Sequence, residues 1–471
     1  MVPQSTLRRY TVNLDEESRT GAPSAAERAT PTTTDTDPIS ADAPRATPTS
    51  ADATDAPSTI DAAPTTNDTP PTATSAPPPT LTLHTPAQIS ALALVPHNIC
   101  ADTLVAGSAD GTLRVYDLTS GRVTRAVRGL GDEVAGIAID VPAKKAKSTD
   151  DASKEAPLRA WVACGRQVLH FSLSPTAPLL QTAKDALAAV DVCEEDEGDA
   201  VNGLTLLPRG THLAFCTDAG AVGVLEIDSL LSSPKIRRLR GRHSNLASTL
   251  HSVPHRPREL VSGGYDCQVV LHDWESGSVL GRGEVGAPPP SDDPNASQGI
   301  SLSPPFVLSS AMSTSGVLVA GLADGRATSS KKPPTATPTT KPPTATTKKP
   351  PTATTKKPTK DKKRTKKWEG LDPKGVLAAK VAEGPVVGVA WKDENTFLAC
   401  SLLGQLIEVT LERALDGNLR PKVLTQAESV SKVNALAVSS GGASTASTQY
   451  VVVGGVGKDG RGVVEVMRAI A

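Results

Sequence analysis

The residue types that could do chemistry are most concentrated between positions 243 and 272. His243, Ser262, Asp266 and His272 supply a hydroxyl, a carboxylate and two imidazoles within this stretch. A serine hydroxyl beside an imidazole that a carboxylate orients is the arrangement of a nucleophilic hydrolase. Such sites are defined by geometry rather than by sequence order, so the interpretation depends on the elements that carry the four residues.

Other catalytic and cofactor motifs give no support to an enzyme. Gly281–Gly286 and Gly455–Gly460 both match Gly-x-Gly-x-x-Gly, but the first runs into Pro288 and the second into another apolar run. A dinucleotide site needs this motif between a strand and a helix, so we interpret both as turns. The sequence has no zinc-protease motif, nucleophile elbow, phosphate loop or metal-spaced Cys/His cluster. We therefore expect no catalytic residues, no cofactor and no metal.

The composition limits the partners and the cellular location that we expect for this protein. The net charge of -1 argues against a surface devoted to nucleic acid, because such domains are usually strongly basic. The 6 cysteines are scattered singly, and we expect them to be reduced and buried. The N-terminus does not resemble a signal peptide, and no apolar window is long enough to cross a bilayer. We expect an intracellular protein, cytoplasmic or nuclear or both, with no membrane partner.

Two tracts are too poor in large apolar residues to form a core. Residues 1–79 are dominated by Thr, Pro, Ala, Asp and Ser, and we expect a disordered tail. Residues 328–366 repeat Pro-Pro-Thr-Ala-Thr and end in a basic run, so we expect a disordered basic loop inserted in the fold. The insert begins where a strand should follow Asp324-Gly325.

The rest of the chain repeats one pattern. In the stretch 259–280 an apolar run ends in Ser262-Gly263-Gly264, a turn contains Asp266, and a β-branched run ends at His272-Asp273. The stretch 104–121 repeats this order, with Asp110 in the turn and Tyr116-Asp117 at the end. Short β-branched runs separated by Gly, Asp and Ser are typical of antiparallel strands. Five further units follow the same outline.

This pattern resembles the WD40 repeat, in which Trp-Asp ends the third strand. Once the two tracts are set aside, seven units have about 50 residues each, close to the 40 to 45 of such repeats. The resemblance implies an all-β, seven-bladed WD40-type β-propeller over residues 80–471, interrupted by the insert. We expect Leu81-Thr82-Leu83 to supply the outer strand of the last blade and close the ring.

The resemblance also gives the opening residues a structural role. WD40 repeats place His, Ser or Thr, Asp and Trp in a buried hydrogen-bonded tetrad. In the fourth unit His243, Ser262 and Asp266 match this pattern, with His272 in the Trp place. In the first unit His84 and Asp110 match it and Tyr116 stands in the Trp place, but Ala106 stands where Ser or Thr would be, so we expect a weaker network there. We therefore expect these residues to stabilise blades rather than to catalyse a reaction.

Two charged runs are candidates for recognition. The acidic run lies in the loop entering the third unit, where it could attract a basic peptide or remain a solvated connector. It comprises Glu194, Glu195, Asp196, Glu197 and Asp199. The basic run could act in nuclear import, contact phosphates or do neither. It includes Lys362, Lys363, Arg364, Lys366 and Lys367.

Residues 190–285 also resemble the WD repeat-containing protein 53 family. The similarity rests on the acidic run before Val201-Asn202-Gly203-Leu204, on Arg242-His243-Ser244-Asn245 and on the stretch 260–269. It implies a propeller scaffold, with the alternative of a substrate receptor that binds the adaptor of a cullin-4 ubiquitin ligase. The Trp-Asp-x-Arg motif of such receptors is not evident here. We therefore expect a noncatalytic scaffold whose partners are proteins or peptides, with nucleic-acid association through the basic loop as a third hypothesis.

Overall fold

The computed structural model describes residues 80–97, 99–140, 157–194, 198–230, 233–285, 303–330, 368, 370–371, 376–412, 419–439 and 449–469. The expected tail, residues 1–79, and the expected insert from 331 to 366 lie outside the described residues. The described part contains β-strands and two 3₁₀ turns, Ala183–Asp185 and Ile227–Ser229. Within it, no helix is long and apolar enough to cross a membrane.

The strands are short and rich in Val, Leu, Ile and Thr, residues that suit a pleated and half-buried surface. In chain order they are β1 (Thr80–Thr85), β2 (Ile89–Leu94), β3 (Thr103–Ser108), β4 (Thr112–Asp117), β5 (Arg122–Arg128), β6 (Val134–Asp140), β7 (Arg159–Cys164), β8 (Gln167–Ser172), β9 (Leu180–Thr182), β10 (Ala188–Asp191), β11 (Val201–Leu206), β12 (His212–Thr217), β13 (Val222–Glu226), β14 (Lys235–Arg238), β15 (Ala247–Ser252), β16 (Glu259–Gly264), β17 (Gln268–Asp273), β18 (Ser278–Glu284), β19 (Val307–Met312), β20 (Leu318–Leu322), β21 (Arg326–Ser329), β22 (Leu377–Lys380), β23 (Val386–Trp391), β24 (Thr396–Ser401), β25 (Gln405–Leu411), β26 (Leu419–Gln426), β27 (Lys432–Val438), β28 (Gln449–Val456) and β29 (Gly462–Ala469).

These strands form seven sheets, which are the blades of a propeller. The inner strands β2, β6, β11, β15, β19, β23 and β27 contact one another in a closed circle. From the inner to the outer edge, the blades are β2-β3-β4-β5, β6-β7-β8-β10, β11-β12-β13-β14, β15-β16-β17-β18, β19-β20-β21-β22, β23-β24-β25-β26 and β27-β28-β29-β1. The expected all-β, seven-bladed propeller is confirmed.

The two ends of the propeller carry different connections. At the end that we call upper, the chain turns from the second to the third strand of each blade and enters each new inner strand. At the lower end, it turns from the first to the second strand and from the third to the fourth. This alternation follows from the antiparallel pairing within each blade.

The ring is closed by strands from both ends of the described chain. β1 pairs antiparallel with β29, from Thr80 opposite Met467 to Thr85 opposite Gly462. The side chain of Leu83 is buried in the cluster between blades seven and one. The predicted closure by Leu81-Thr82-Leu83 is confirmed, and the outer edge of β29 is covered.

Every inner strand contains a β-bulge near its start, after the first residue in β2, β6, β11, β15, β19 and β23 and after the second, Val433, in β27. The residue before the bulge is a wholly buried apolar one, and the residue two positions later is small or hydroxylated (Ala91, Gly136, Gly203, Thr249, Ser309, Gly388 and Ala435). The residue between them is left unpaired with the second strand. A bulge bends a strand and increases its twist. This repeated irregularity helps the blades to follow one another around the axis.

The bulges also join neighbouring blades through side chains. Ser90 Oγ donates to the carbonyl of Val134, 2.7 Å away, and Ser248 Oγ donates to that of Val307, 2.6 Å away. Asn434 Nδ2 donates to the carbonyl of Ile89 at 2.8 Å. In each case the acceptor begins the next inner strand. Asn202 and Ser309 make corresponding bonds to the following blades.

Apolar clusters fill the spaces between blades. One contains Val105 and Val115 of blade one with Val162 and Phe171 of blade two, and similar clusters lie at other boundaries. A four-stranded blade has two apolar faces, and radial packing buries both of them. The core is therefore distributed around the ring.

Blade five contains a strand that the sequence pattern does not predict. β21 follows Asp324-Gly325 directly, so Thr328 and Ser329 belong to the blade, and the boundary expected at 328 is wrong at this end. After the insert, Trp368 is wholly buried between blades four and five. Its Nε1 donates to the carbonyl of Gly316 at 2.9 Å, and its backbone N–H to Glu259 Oε2 at 3.1 Å. Trp368 therefore fixes the chain at the far end of the insert.

Blade one carries an additional strand. β9, which lies in the connection between the third and fourth strands of blade two, pairs parallel with β5. The backbone N–H of Ala126 donates to the carbonyl of Leu179, and Gln181 is buried. This strand covers the outer edge of blade one and ties it to blade two.

Candidate functional site

The four residues that first suggested chemistry meet inside blade four. His243 Nδ1 lies 2.8 Å from Asp266 Oδ1, and His243 Nε2 lies 2.8 Å from Ser262 Oγ. Ser262 Oγ also lies 3.0 Å from His272 Nε2. The loop that enters the blade positions His243, while β16, the following turn and β17 position the other three. The structure therefore brings together all four residues that the sequence predicted for this unit.

The donor and acceptor roles follow from the chemistry of the groups. A carboxylate can only accept, so His243 Nδ1–H donates to Asp266. With a neutral His243, Ser262 donates to its Nε2 and accepts from His272 Nε2–H. His272 Nδ1 then remains buried without a hydrogen-bond partner among the described residues. Burial, and second to it the neighbouring His243, lower the pKa of His272 to about 4.

This network has the composition of a catalytic triad but not its accessibility. The side chains of Ser262 and His272 are 0% exposed, and His243 is 2% exposed. Asp266 also accepts from the backbone N–H groups of Ser244 and Gln268. A substrate carbonyl has no route to the serine in this arrangement. The network instead joins the entering loop, the second strand and the third strand of the blade.

The residues predicted for a similar network in blade one do not meet. His84 is exposed on β1, in the outer strand of blade seven, so its assignment is wrong. Tyr116 is buried in the apolar cluster between blades seven and one, where burial raises its pKa. Asp110 is bonded instead to Ser108 Oγ, at 2.6 Å, and Ser108 accepts from Arg114 Nη1 at 3.0 Å. The sequence pattern did not predict this Asp110–Ser108–Arg114 chain.

The acidic run lies at the upper end, between blades two and three. Residues 195–197 are outside the described residues, and the residues that flank them are held by the propeller. Asp199 is 3% exposed, and its Oδ1 accepts from the backbone N–H of Ala219 at 2.8 Å. Asp199 therefore anchors the loop and does not present its carboxylate at the surface, contrary to its predicted role in partner binding.

Two arginines hold the other side of this acidic loop. Arg166 donates from Nη2 to the carbonyl of Glu194 at 2.6 Å and pairs through Nε with Asp191 at 3.1 Å. Arg242 Nη1 lies 3.3 Å from Glu194 Oε2, and both side chains are about half exposed. Glu194 is thus a surface residue with one cationic partner. Burial, followed by the charge of Asp199, raises the pKa of the adjacent Cys193 to about 12.

The remaining expectations have mixed outcomes. The basic residues at 362–364 and 366–367 lie outside the described residues, so their predicted roles remain predictions. None of the 6 cysteines forms a disulfide, and three of them are buried, but Cys193 and Cys267 are half-buried and Cys100 is exposed, so the expectation of burial is wrong for these three. Among the described residues, no group of three or more His, Cys, Asp or Glu side chains has the arrangement of a metal site.

Two comparisons with known proteins agree with this architecture. The model of the family described as "WD domain, G-beta repeat" matches residues 76–117. The matched stretch includes β1 and the first three strands of blade one and ends at Tyr116-Asp117. The crystal structure of the Myceliophteria thermophila Cps50 (Swd1) β-propeller domain is similar, with a TM-score of 0.53 and 12% sequence identity. The alignment covers 83% of this chain and 100% of that one. At this identity, the likeness shows the fold alone.

Proposed function

We propose that this protein is a noncatalytic scaffold that binds protein partners through the acidic loop at the upper end of its propeller. A WD40 repeat match and a propeller fold are typical of interaction scaffolds. The observation that carries the proposal is the anchoring of the loop on both sides. Asp199 is bonded to the turn of blade three, and Glu194 is held by Arg166 and Arg242. The residues on both sides of 195–197 are therefore held by the propeller.

The preferred partner is a basic peptide or a basic protein surface. Complementary charge accelerates association and selects among partners. Glu194 already forms an ion pair with Arg242, so we assign the main contact with the partner to Glu195, Asp196 and Glu197. The stretches that resemble the WD repeat-containing protein 53 family include this loop and Arg242, which pairs with Glu194. We further propose that the protein is intracellular and that residues 1–79 and 331–366 are not part of the propeller core.

The test is affinity purification of the tagged full chain followed by mass spectrometry. The charge-reversal variant Glu195→Lys, Asp196→Lys, Glu197→Lys is compared with wild type. The matched control reverses Asp150, Asp151 and Glu155, an acidic group that lies between β6 and β7 in the sequence. We expect basic partners to be lost from the first variant and retained by the control.

Other results would contradict the proposal. Equal loss of partners in both charge-reversal variants would show that the upper-end acidic loop has no specific role. Reproducible recovery of the cullin-4 adaptor would instead assign the protein to a ligase receptor. A screen of the purified chain for hydrolase or transferase activity tests the noncatalytic assignment, and turnover that His272→Ala abolishes would overturn it.

A further inference from the structure

An exposed apolar surface lies on the outer side of the boundary between blades one and two. Of the eight large apolar side chains that are exposed among the described residues, half belong to β5 and to residues 179–187. They are Val123, Leu179, Leu180 and Leu187, with exposed fractions of 49%, 70%, 56% and 50%. Clusters of this kind mark interaction surfaces more often than single exposed residues do. We call β5 and residues 179–187 the rim surface. It shares no residue with the acidic loop, so the proposal for it does not rest on the proposed function.

The pairing of β9 with β5 places two of these leucines beside β5. Leu180 lies opposite Ala126 in this parallel pairing. The carbonyl of Leu179 accepts from the backbone N–H of Ala126 at 2.9 Å. Val123 lies three residues from Ala126 along β5, a distance of about 10 Å. The exposed apolar side chains of the two strands therefore lie within reach of one ligand.

Two hydrogen bonds to β8 hold the rest of the segment against blade two. Gln181 Nε2 donates to the carbonyl of Ser172 at 2.9 Å. The backbone N–H of Leu187 donates to the carbonyl of His170 at 2.7 Å. These two acceptors are two residues apart on β8, a separation of about 7 Å. Leu187 therefore lies near β9 and extends the rim surface toward blade two.

The charges of the rim surface are mostly positive. Arg122, Arg128 and Lys184 are exposed. Among the described residues, no carboxylate oxygen lies within ion-pair distance of any of these three cations. Arg125 Nη2 donates at 2.6 Å to a backbone carbonyl of the connection that leads into β9. The rim surface itself contains one carboxylate, that of Asp185.

The carboxylates in and beside the rim surface are occupied by local hydrogen bonds. Asp185 Oδ2 accepts from the backbone N–H of Thr182 at 2.8 Å and from its Oγ1 at 2.9 Å. Asp117, at the end of β4 next to β5, accepts from the hydroxyls of Thr119 at 2.6 Å and Ser120 at 2.7 Å. Four cations stand against these two carboxylates. The surface therefore attracts a ligand that combines negative charge with apolar groups.

The backbone of β9 offers little to an added strand. This strand has 3 residues, and the backbone N–H of Thr182 is already bonded to Asp185 Oδ2. A ligand must therefore be recognised through side chains, as when an amphipathic helix packs its apolar face on a surface. Two turns of such a helix rise about 11 Å, close to the separation of about 10 Å between Val123 and Ala126. Its apolar residues, three and four positions apart, share one face.

We propose that the rim surface binds an acidic amphipathic helix of another protein. The apolar face of the helix contacts the four exposed apolar side chains. Its carboxylates contact Arg122, Arg128 and Lys184. Burial of the leucines provides affinity, and the charges select the partner. Residues 179–187 include a strand added to the four-stranded pattern of the blades, so substitutions at their exposed side chains leave the propeller core intact.

Fluorescence anisotropy of a labelled peptide mixed with the full chain tests this proposal. The probe is a helix of about 18 residues made of leucine, alanine and glutamate, with the leucines on one face. A second probe has lysine in place of each glutamate. Wild type should bind the glutamate peptide saturably and at least about tenfold more tightly than the lysine peptide.

Paired substitutions locate the contact. Leu179→Ser combined with Leu180→Ser should weaken binding of the glutamate peptide at least about tenfold. The matched control is Val423→Ser combined with Leu424→Ser, which removes two exposed apolar side chains of β26 and should leave the affinity unchanged. Addition of the glutamate peptide should also slow hydrogen–deuterium exchange in residues 179–187 and not in β26.

A charge exchange separates specific recognition from general attraction. Arg122→Glu combined with Arg128→Glu should reverse the preference, so that the lysine peptide binds more tightly than the glutamate peptide. Absence of saturable binding to wild type, equal affinity for both peptides, or equal weakening by the two serine pairs would overturn the proposal.

Two further measurements test other occupants. Sedimentation with vesicles of phosphatidylcholine and phosphatidylserine, if it is lost in the Leu179→Ser, Leu180→Ser variant, would assign the rim surface to a membrane. Self-association of wild type that the same variant abolishes would assign it to a second copy of this chain. Either result would overturn the assignment to an acidic helix.

Discussion

Replacement of Ser262 by alanine tests whether the buried network stabilises blade four. Ser262 Oγ is the hydrogen-bond partner of His243 Nε2, at 2.8 Å, and of His272 Nε2, at 3.0 Å. Ser262→Ala therefore leaves two ring nitrogens unsatisfied in a site from which water is excluded. Each such group costs about 1 to 3 kcal/mol. We expect the free energy of unfolding to fall by about 2 to 4 kcal/mol.

A double-mutant cycle separates this network from simple loss of packing. His272→Phe removes one nitrogen that bonds to Ser262 together with the unsatisfied Nδ1. In the double variant, only His243 Nε2 lacks a partner. The cost of Ser262→Ala should therefore be smaller in the His272→Phe background by at least about 1 kcal/mol.

The assay is urea unfolding of the four proteins, followed by circular dichroism and tryptophan fluorescence. Ser252→Ala is the control, because this half-buried hydroxyl of the same blade has no hydrogen-bond partner among the described residues. It should change the free energy of unfolding by less than about 0.5 kcal/mol. A Ser262→Ala variant as stable as this control, or strictly additive effects in the cycle, would refute the stabilising role.

Further expectations concern the same network, the closure of the ring and the insert. His272→Trp keeps a ring N–H donor and removes the unsatisfied nitrogen, so the thermal midpoint should rise; a fall would show that the site is shaped for histidine. In the folded protein the pKa of His272 is about 4, below its ordinary value of 6.5. Between these values the unfolded chain binds a proton that the folded chain does not, so the free energy of unfolding should fall as pH falls, by at most about 1.4 kcal/mol per pH unit. His272→Phe should reduce that slope in urea titrations at several pH values. Deleting residues 1–86 removes β1 and should lower the calorimetric midpoint strongly, whereas deleting 1–77 should lower it much less. Trp368→Ala should cost about 3 to 5 kcal/mol in urea unfolding because it empties a buried site between two blades.

The sequence predicts the blades well because their determinants are local. Apolar runs of strand length, interrupted by Asp-Gly or Ser-Gly turns, recur along the chain, and each run becomes a strand. The blade-four network is also predictable, since His243, Ser262 and Asp266 stand at repeat positions with chemically specific roles. Ring closure follows from the same repeat, because the seventh unit lacks an outer strand while Leu81-Thr82-Leu83 precedes the first inner strand.

The failures come from interactions that depend on register or on distant partners. His84 precedes a repeat unit at a plausible distance, but it lies on β1 between buried Leu83 and Thr85, so strand alternation turns it outward. The burial of Trp368 could not be predicted, because this residue follows a run of lysines in the sequence and its contacts come from blades four and five. β9 is a run of three residues whose pairing with β5 no periodicity reveals. The bulges could have been predicted from a repeated pattern in which a small residue follows the buried one by two positions. This pattern occurs in Val134-Ala135-Gly136, Val201-Asn202-Gly203 and Val386-Val387-Gly388.

At the upper end of the propeller, some of the bonds that connect neighbouring blades also hold the loop of the proposed binding site. Side chains at the bulges link most neighbouring inner strands there, but Ala135, at the bulge of blade two, has no polar atom with which to reach blade three. At this boundary the acidic loop supplies other connections, because Arg166 and Arg242 hold Glu194 while Asp199 holds the turn of blade three. A binding loop is most specific when rigid elements fix its position. The bonds that hold Glu194 and Asp199 at this boundary thus also fix the two ends of the loop through which we propose that a partner binds.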